Sequence, residues 1–179
     1  MRNDNNRWNV PVADKLIEFP GLTIRQIQPQ RLTLISGAFS DVLNAAEVEH
    51  AFGWPDIATP AKNGSCAVRL RRDRALILDG GFHEDGWDVA RGLAISDMTG
   101  AYAVFEITGV DSFAFLRRGA ALDEKAPSAS VNRMFHGLSA MIYAWQTDNS
   151  FRLHVTSPMQ EAFWTIAQEL AAATKDHTE

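Results

Sequence analysis

Cysteine is almost missing from this chain: Cys66 stands alone. A disulfide needs two thiols and a thiolate metal cluster needs several, so neither can form within the chain. Cys66 lies in an apolar, strand-like run and reads as a small buried hydrophobe rather than a nucleophile. A basic excess is missing too. The formal charge of -5 and a pI near 5.5 give no long-range attraction to phosphate backbones, so nucleic acid is not expected as a partner. No apolar run approaches the roughly 20 residues that cross a bilayer, and Met1 to Asn9 are polar, without the apolar stretch of a secretory leader. These features predict a cytoplasmic protein with no membrane partner. A dinucleotide fingerprint is also missing: Gly80-Gly81 has no spaced third glycine and no long helix after it, and reads as a turn. The five histidines never fall at the spacing that places two metal ligands on one helix. His83-Glu84-Asp85 reads as a solvated loop. No catalytic, cofactor-binding or metal-ligating residue is predicted.

What is present is enough to build a core. Hydrophobic residues make up 46% and charged residues 22%, near the averages of folded globular domains. After a polar tail over 1–20, Leu22, Ile24, Leu32 and Leu34 alternate with polar neighbours around Pro29-Gln30 and predict a hairpin. Ser40 or Asp41 can cap a helix carrying Val42, Leu43, Ala46 and Phe52, which Gly53 and Pro55 end. A loop from Trp54 to Gly64 follows. Cys66, Val68 and Leu70 then form one strand, and the chain turns at Arg71–Arg74 and returns through Ala75 to Leu78.

The same order of elements then begins again. Asp85 to Arg91 is a short helix candidate. Leu93 and Ile95 lead through Thr99-Gly100 into a strand with Ala101, Ala103, Phe105 and Ile107 on one face. Asp111 is the predicted N-cap of a helix with Phe113 and Leu116, which Arg117, Arg118 and Gly119 close. Beyond a loop over 123–136, Leu138 to Gln146 and a strand with Phe151, Leu153 and Val155 inward flank a turn at Thr147-Asp148-Asn149. Arg152, His154 and Thr156 are then expected to point outward. Ser157, Pro158 and Gln160 spell a capping box for a last helix. Its apolar stripe is Met159, Phe163, Ile166 and Leu170, and Trp164 reads either as a widening of the core or as an exposed anchor. Ile35-Ser36-Gly37-Ala38 and Ile107-Thr108-Gly109-Val110 occupy the same strand-to-helix junction in each part. The expectation is an α+β fold of two similar halves, 21–83 and 84–174, in one compact unit, each with antiparallel hairpins and helices packed on one face.

Two residue sets suggest a surface for a partner. Arg69, Arg71, Arg72 and Arg74 crowd one turn of an acidic protein; they are either a solvated turn or a patch that docks an acidic surface through paired guanidinium hydrogen bonds. Five tryptophans exceed what one small core readily places at its centre, and aromatics are enriched at interfaces. Trp8, Trp54 and Trp87, in a tail, a loop and a short connecting segment, are the candidates.

Ser96-Asp97-Met98-Thr99, Ile107-Thr108-Gly109-Val110-Asp111 and Phe115-Leu116 resemble the "Asp-Leu-Ser... Gly-Pro-Asp... Phe-Leu" pattern of the glycine-cleavage T-protein superfamily. Within it, the chain is similar in length to the gamma subunits of heterotetrameric sarcosine oxidases. Those carry a Gly-Cys-small-Leu-Asp segment that here reads Gly119-Ala120-Ala121-Leu122-Asp123, without the cysteine. Phe151 to Ser157 and the aromatic helix through Phe163-Trp164 also look gamma-like. Aminomethyltransferases of the superfamily carry a Gly-Gly-apolar-apolar-Asp-Asp strand; aligned on Gly137-Leu138-Ser139, the carboxylate positions here hold Ala140 and Met141, which cannot move a proton. The resemblance therefore implies a non-catalytic gamma-type subunit of a complex that oxidises sarcosine or a related N-methyl amino acid. FAD, FMN, NAD and tetrahydrofolate would be held by the larger partner subunits, and the chain would contact most directly the alpha subunit. The alternative within the same superfamily is a stand-alone folate-binding or aminomethyltransferase-like protein, for which Asp97 and Asp111 are the available carboxylates.

Overall fold

The computed structural model describes residues 15–81 and 83–175. They form twelve strands and three α-helices: β1 (Leu16–Phe19), β2 (Leu22–Ile27), β3 (Leu32–Ser36), α1 (Phe39–Ala45), β4 (Ile57–Ala58), β5 (Cys66–Arg71), β6 (Arg74–Leu78), β7 (Gly86–Asp88), β8 (Leu93–Asp97), β9 (Tyr102–Thr108), α2 (Ser112–Gly119), β10 (Asn132–Phe135), β11 (Leu138–Trp145), β12 (Thr147–Thr156) and α3 (Gln160–Lys175). The strands divide into a seven-stranded sheet ordered β1-β2-β9-β12-β11-β10, with β4 beside β11, and a five-stranded sheet ordered β5-β6-β3-β8-β7. Every pairing between them is antiparallel except that of β4 with β11. This is the expected α+β class.

Three apolar clusters show how the layers stack. Phe105, Ile107, Phe151, Leu153 and Val155 on one face of the larger sheet pack with Phe115 and Leu116 of α2 and Phe163, Ala167 and Ala171 of α3. Ile35, Ala75, Ile77, Leu93 and Ile95 on the outer face of the smaller sheet pack with Val42 and Ala45 of α1. Between the sheets lie Leu32, Val68, Leu76, Leu78, Val104, Met141, Tyr143 and Trp145. The order is helices, sheet, sheet, helix. Strands of the central layer are thus covered on both faces, so apolar alternation cannot mark a solvent face.

That stacking corrects several expectations. Leu22–Ile27 and Leu32–Ser36 are not a hairpin, because β2 joins β9 in the larger sheet while β3 joins β6 and β8 in the smaller. Likewise β8 and β9 part at Thr99-Gly100 into different sheets. Each leading strand crosses to the sheet built by the other part of the chain, so β2-β9-β12-β11 and β8-β3-β6-β5 have matching order. Two glycines sit where the crossing strands begin. A Cβ on Gly37 would stand 2.9 Å from the Gly92 carbonyl oxygen, just before β8, and one on Gly109 would stand 2.2 Å from the Gly21 carbonyl oxygen, just before β2. Only a residue without a side chain allows that approach.

Other differences are local. Helix α1 starts at Phe39 after Ala38, without a side-chain cap, and ends before Phe52, which instead bridges to Val68. Residues 85–91 hold strand β7 rather than a helix; the Asp88 carboxylate accepts from the backbone N–H groups of Ala90 and Arg91, which closes a turn instead. The 123–136 loop contains β10, an edge strand on β11. At 147–149 the chain stays in β12: Trp145 pairs Thr147 while Ala144 pairs Phe151, so the residues between bulge out. Asp111 does occupy the N-cap of α2, but makes no side-chain bond there. Ser157 makes no capping bond either. It begins a 3-10 turn and donates its hydroxyl to the Gly100 carbonyl at 2.6 Å, while Gln160 accepts from Gln26 Nε2. The buried face of α3 is Phe163, Ala167 and Ala171; Trp164, Ile166 and Leu170 are half-buried at its margin and Met159 is exposed.

Candidate functional site

The polar groups with unusual environments lie between the sheets. Alternation along β12 aims Arg152 and His154 away from the helix layer, and the smaller sheet covers both. His154 is fully buried and the Arg152 side chain is 12% exposed; the expectation that Arg152, His154 and Thr156 point outward is corrected by the second sheet, and of the three residues only Thr156 is exposed. On neighbouring β11, Tyr143 is also fully buried, and its hydroxyl lies 2.8 Å from His154 Nε2. The Tyr143 hydroxyl has no other hydrogen-bond partner among the described residues, so its hydrogen goes to Nε2. The imidazole then carries its proton on Nδ1, which has no partner among the described residues.

Charge in this layer is held by two arginines around one acid. Glu106 of β9 accepts from Arg25 at 3.3 Å and lies 3.7 Å from Arg152, whose guanidinium stacks over the Trp145 ring at 3.6 Å. Arg152 Nε and Nη1 have no hydrogen-bond partner among the described residues. Burial, then the Arg152 charge, push the His154 pKa down to about 3, so the ring is neutral at ordinary pH. Burial pushes the Tyr143 phenol far up, and pushes the Cys66 thiol up to about 12 despite Arg152 nearby. Such groups are kept protonated or neutral and are poor acids, bases or nucleophiles.

A cleft of about 190 Å³ opens at one end of this layer, lined by His154, Tyr102, Arg71, Arg74 and Ser139, with Leu34, Leu70 and Met141 among its apolar walls. The structure thus splits the arginine cluster. Arg71 and Arg72 are exposed. Arg69 instead stacks on Phe39 at 3.9 Å and donates to the carbonyls of Arg71 and Arg72, and Arg74 donates Nε to Ser36 Oγ at 2.9 Å. Two of the four brace the hairpin from within.

The tryptophans divide as well. Trp54 is only 3% exposed, stacks with Phe113 and Phe151, and donates Nε1 to the Asp123 carbonyl at 2.9 Å. Its place on a surface loop is corrected: that loop folds under the helix layer, and the buried indole N–H keeps a hydrogen-bond partner in a backbone carbonyl. Trp87 is 64% exposed on edge strand β7, near Val89 at 83%. Trp8 lies outside the described residues. The sequence did not point to Arg152, Tyr143 or His154 as a cluster. Their alternation was legible, but the pairing of β11 with β12 and the covering sheet were not.

Among the described residues no group of three or more His, Cys, Asp or Glu side chains could hold a metal ion, and no helix is long and apolar enough to cross a membrane. Asp97 ends a strand of the smaller sheet and accepts from the Thr99 N–H, whereas Asp111 follows a strand of the larger sheet. Ala140 and Met141 are buried, and Met141 faces the space between the sheets.

No family model matches the chain, and no curated protein matches it by sequence. Among solved structures it is similar to a chain of the heterotetrameric sarcosine oxidase from Corynebacterium sp. U-96, determined in complex with pyrrole 2-carboxylate. The TM-score is 0.66 at 12% identity, over 89% of this chain and 88% of that chain. The chain therefore shares its fold, nearly from end to end, with one chain of a multi-subunit sarcosine oxidase.

Proposed function

We propose that this chain is a non-catalytic, gamma-type subunit of a sarcosine oxidase complex, supporting its assembly while larger subunits oxidise sarcosine or a related N-methyl amino acid. The observation that carries this reading is the near-complete mutual coverage with a chain of that enzyme. Coverage of 89% and 88% means two chains of almost equal length, which fits a small subunit rather than a domain of a large one. The interior supports the non-catalytic role: its titratable groups, His154, Tyr143 and Cys66, are held in their uncharged forms by burial. FAD, FMN, NAD and tetrahydrofolate then belong to the partner subunits. Exposed Trp87 on an edge strand and Val89 in the turn after it, with Arg71 and Arg72 on a separate hairpin, are the surfaces offered to the partner, the alpha subunit first.

Co-expression with the large flavoprotein subunits tests this. The expected result is one complex, containing this chain at one copy per alpha subunit, that consumes oxygen with an N-methyl amino acid. Large subunits that assemble and turn over fully without it, while it elutes alone, would overturn the reading. Trp87→Ala and Arg71→Ala with Arg72→Ala separate the two docking surfaces: loss of a rim charge slows association at low salt, whereas loss of an aromatic anchor speeds dissociation.

A further inference from the structure

The cleft at the end of the inter-sheet layer has a composition that selects one kind of ligand. Its polar lining is made of donors or neutral groups, including Arg71, Arg74, Tyr102, Ser139, Thr156 and His154, and no carboxylate lines it. In an acidic chain this is a local reversal of charge. Arg74 is fixed by its Nε bond to Ser36 Oγ, which leaves its two terminal nitrogens for the cleft. The decisive group is His154. Nε2 is occupied by the Tyr143 hydroxyl, the ring is fully buried, and Nδ1 has no partner among the described residues. A buried N–H without an acceptor is costly, so such a group marks a place where an acceptor belongs. The opposite cleft, beside Arg25 and Arg152, also holds Glu106 and Asp79, and those carboxylates oppose an anion there.

We propose that this cleft binds a small free carboxylate, its oxygens shared between the Arg71 and Arg74 guanidiniums at the mouth and the Nδ1–H of His154 at the floor. Guanidinium matches a carboxylate edge with two parallel hydrogen bonds. The volume of about 190 Å³ lies below the roughly 300–1,000 Å³ of sites for drug-sized ligands, so the occupant is a carboxylate of a few heavy atoms and not a nucleotide or a pterin. The apolar walls accept a short alkyl group on the carboxylate carbon.

The full chain, with its histidines labelled by nitrogen-15, is titrated with acetate at constant ionic strength, with acetamide as the neutral isostere and blocked aspartate as a mimic of a protein side chain. Acetate should shift the His154 Nδ1–H resonance saturably, with a Kd around the millimolar range expected of so small a ligand. Acetamide should not. Arg74→Gln should weaken acetate roughly tenfold, the loss of one charge-assisted hydrogen bond. Arg71→Gln, at an exposed position that cannot unfold the protein, should act in the same direction. No saturable shift with acetate, an equal response to acetamide, or wild-type affinity in the Arg71→Gln chain would each overturn the site. Binding of blocked aspartate without acetate would overturn the free ligand and assign the cleft to a partner's acidic side chain.

Discussion

Replacing Gly109 with alanine tests the contact that seats strand β2 on the far part of the chain. Gly109 has φ +113°, where L side chains are rare, and an added Cβ would lie 2.2 Å from the Gly21 carbonyl oxygen, 2.8 Å from its carbon and 3.2 Å from Leu22 N. All three are backbone atoms, so no side-chain rotation relieves them. The Gly21 oxygen is also the acceptor for the Asp111 N–H at 2.9 Å, and the Gly109 N–H donates to Asn149 at 3.0 Å. Moving either strand breaks a hydrogen bond. Backbone strain costs about 1–3 kcal/mol and overpacking about 1–3 kcal/mol more. A sum near 3–5 kcal/mol lowers Tm by on the order of 10 °C in a chain of this size. Gly100→Ala isolates the strain alone, because Gly100 has φ +81° with nothing within 4 Å; Gly81→Ala has neither strain nor contact. Thermal and urea unfolding of the three variants should rank Gly109 well below Gly100, with Gly81 near wild type. Equal losses for Gly109→Ala and Gly100→Ala would refute the close-contact reasoning.

Three further outcomes are expected. The His154 pKa in the folded chain, about 3, lies below the roughly 6.5 of an unfolded histidine, so the unfolded chain binds the extra proton between those values. Stability is therefore at its plateau above about pH 6.5 and falls toward pH 3 by at most about 1.4 kcal/mol per pH unit from this group; urea midpoints of His154→Phe should fall less steeply than wild type, and parallel pH curves would exclude the histidine as a cause. Cys66 is 1% exposed with its thiol pushed up to about 12, so a disulfide reagent at pH 8 should modify it only after urea unfolding; prompt labelling of the folded chain would place the thiol elsewhere. Trp54→Ala should cost about 3–5 kcal/mol as a buried aromatic truncation, whereas Trp87→Ala should stay within about 0.5 kcal/mol by chemical denaturation, and the reverse order would invert their assigned environments.

Local chemistry made much of this chain legible before any coordinates. Strict alternation marks the inner faces of β9 and β12, a lone cysteine in an apolar run reads as buried, and helical spacing puts Phe163 on the packed side of the last helix, all as the structure has them. These follow from short-range periodicity, which a sequence carries in full. Asp88 shows the limit. Its side chain can serve a helix start or a turn equally well, and only the pairing of β7 with β8 selects the turn. Ser157 likewise has the spacing of a capping residue, yet the Gly100 carbonyl is within reach and takes its hydroxyl.

By itself the sequence determined the α+β class, the positions of most strands, the two glycine junctions and the absence of a thiol framework, because each depends on a residue's own shape or on neighbours a few positions away. Only the tertiary structure decided that β2 and β8 cross to opposite sheets, that Trp54 is core while Trp87 is surface, and that Arg152, Tyr143 and His154 meet. Those outcomes depend on strand partners far apart in the chain, such as Ile24 with Ile107 and Ile35 with Ile95. Alternation says which residues share a face; it does not say what lies against that face, and here the covering layer for β12 is a second sheet instead of water.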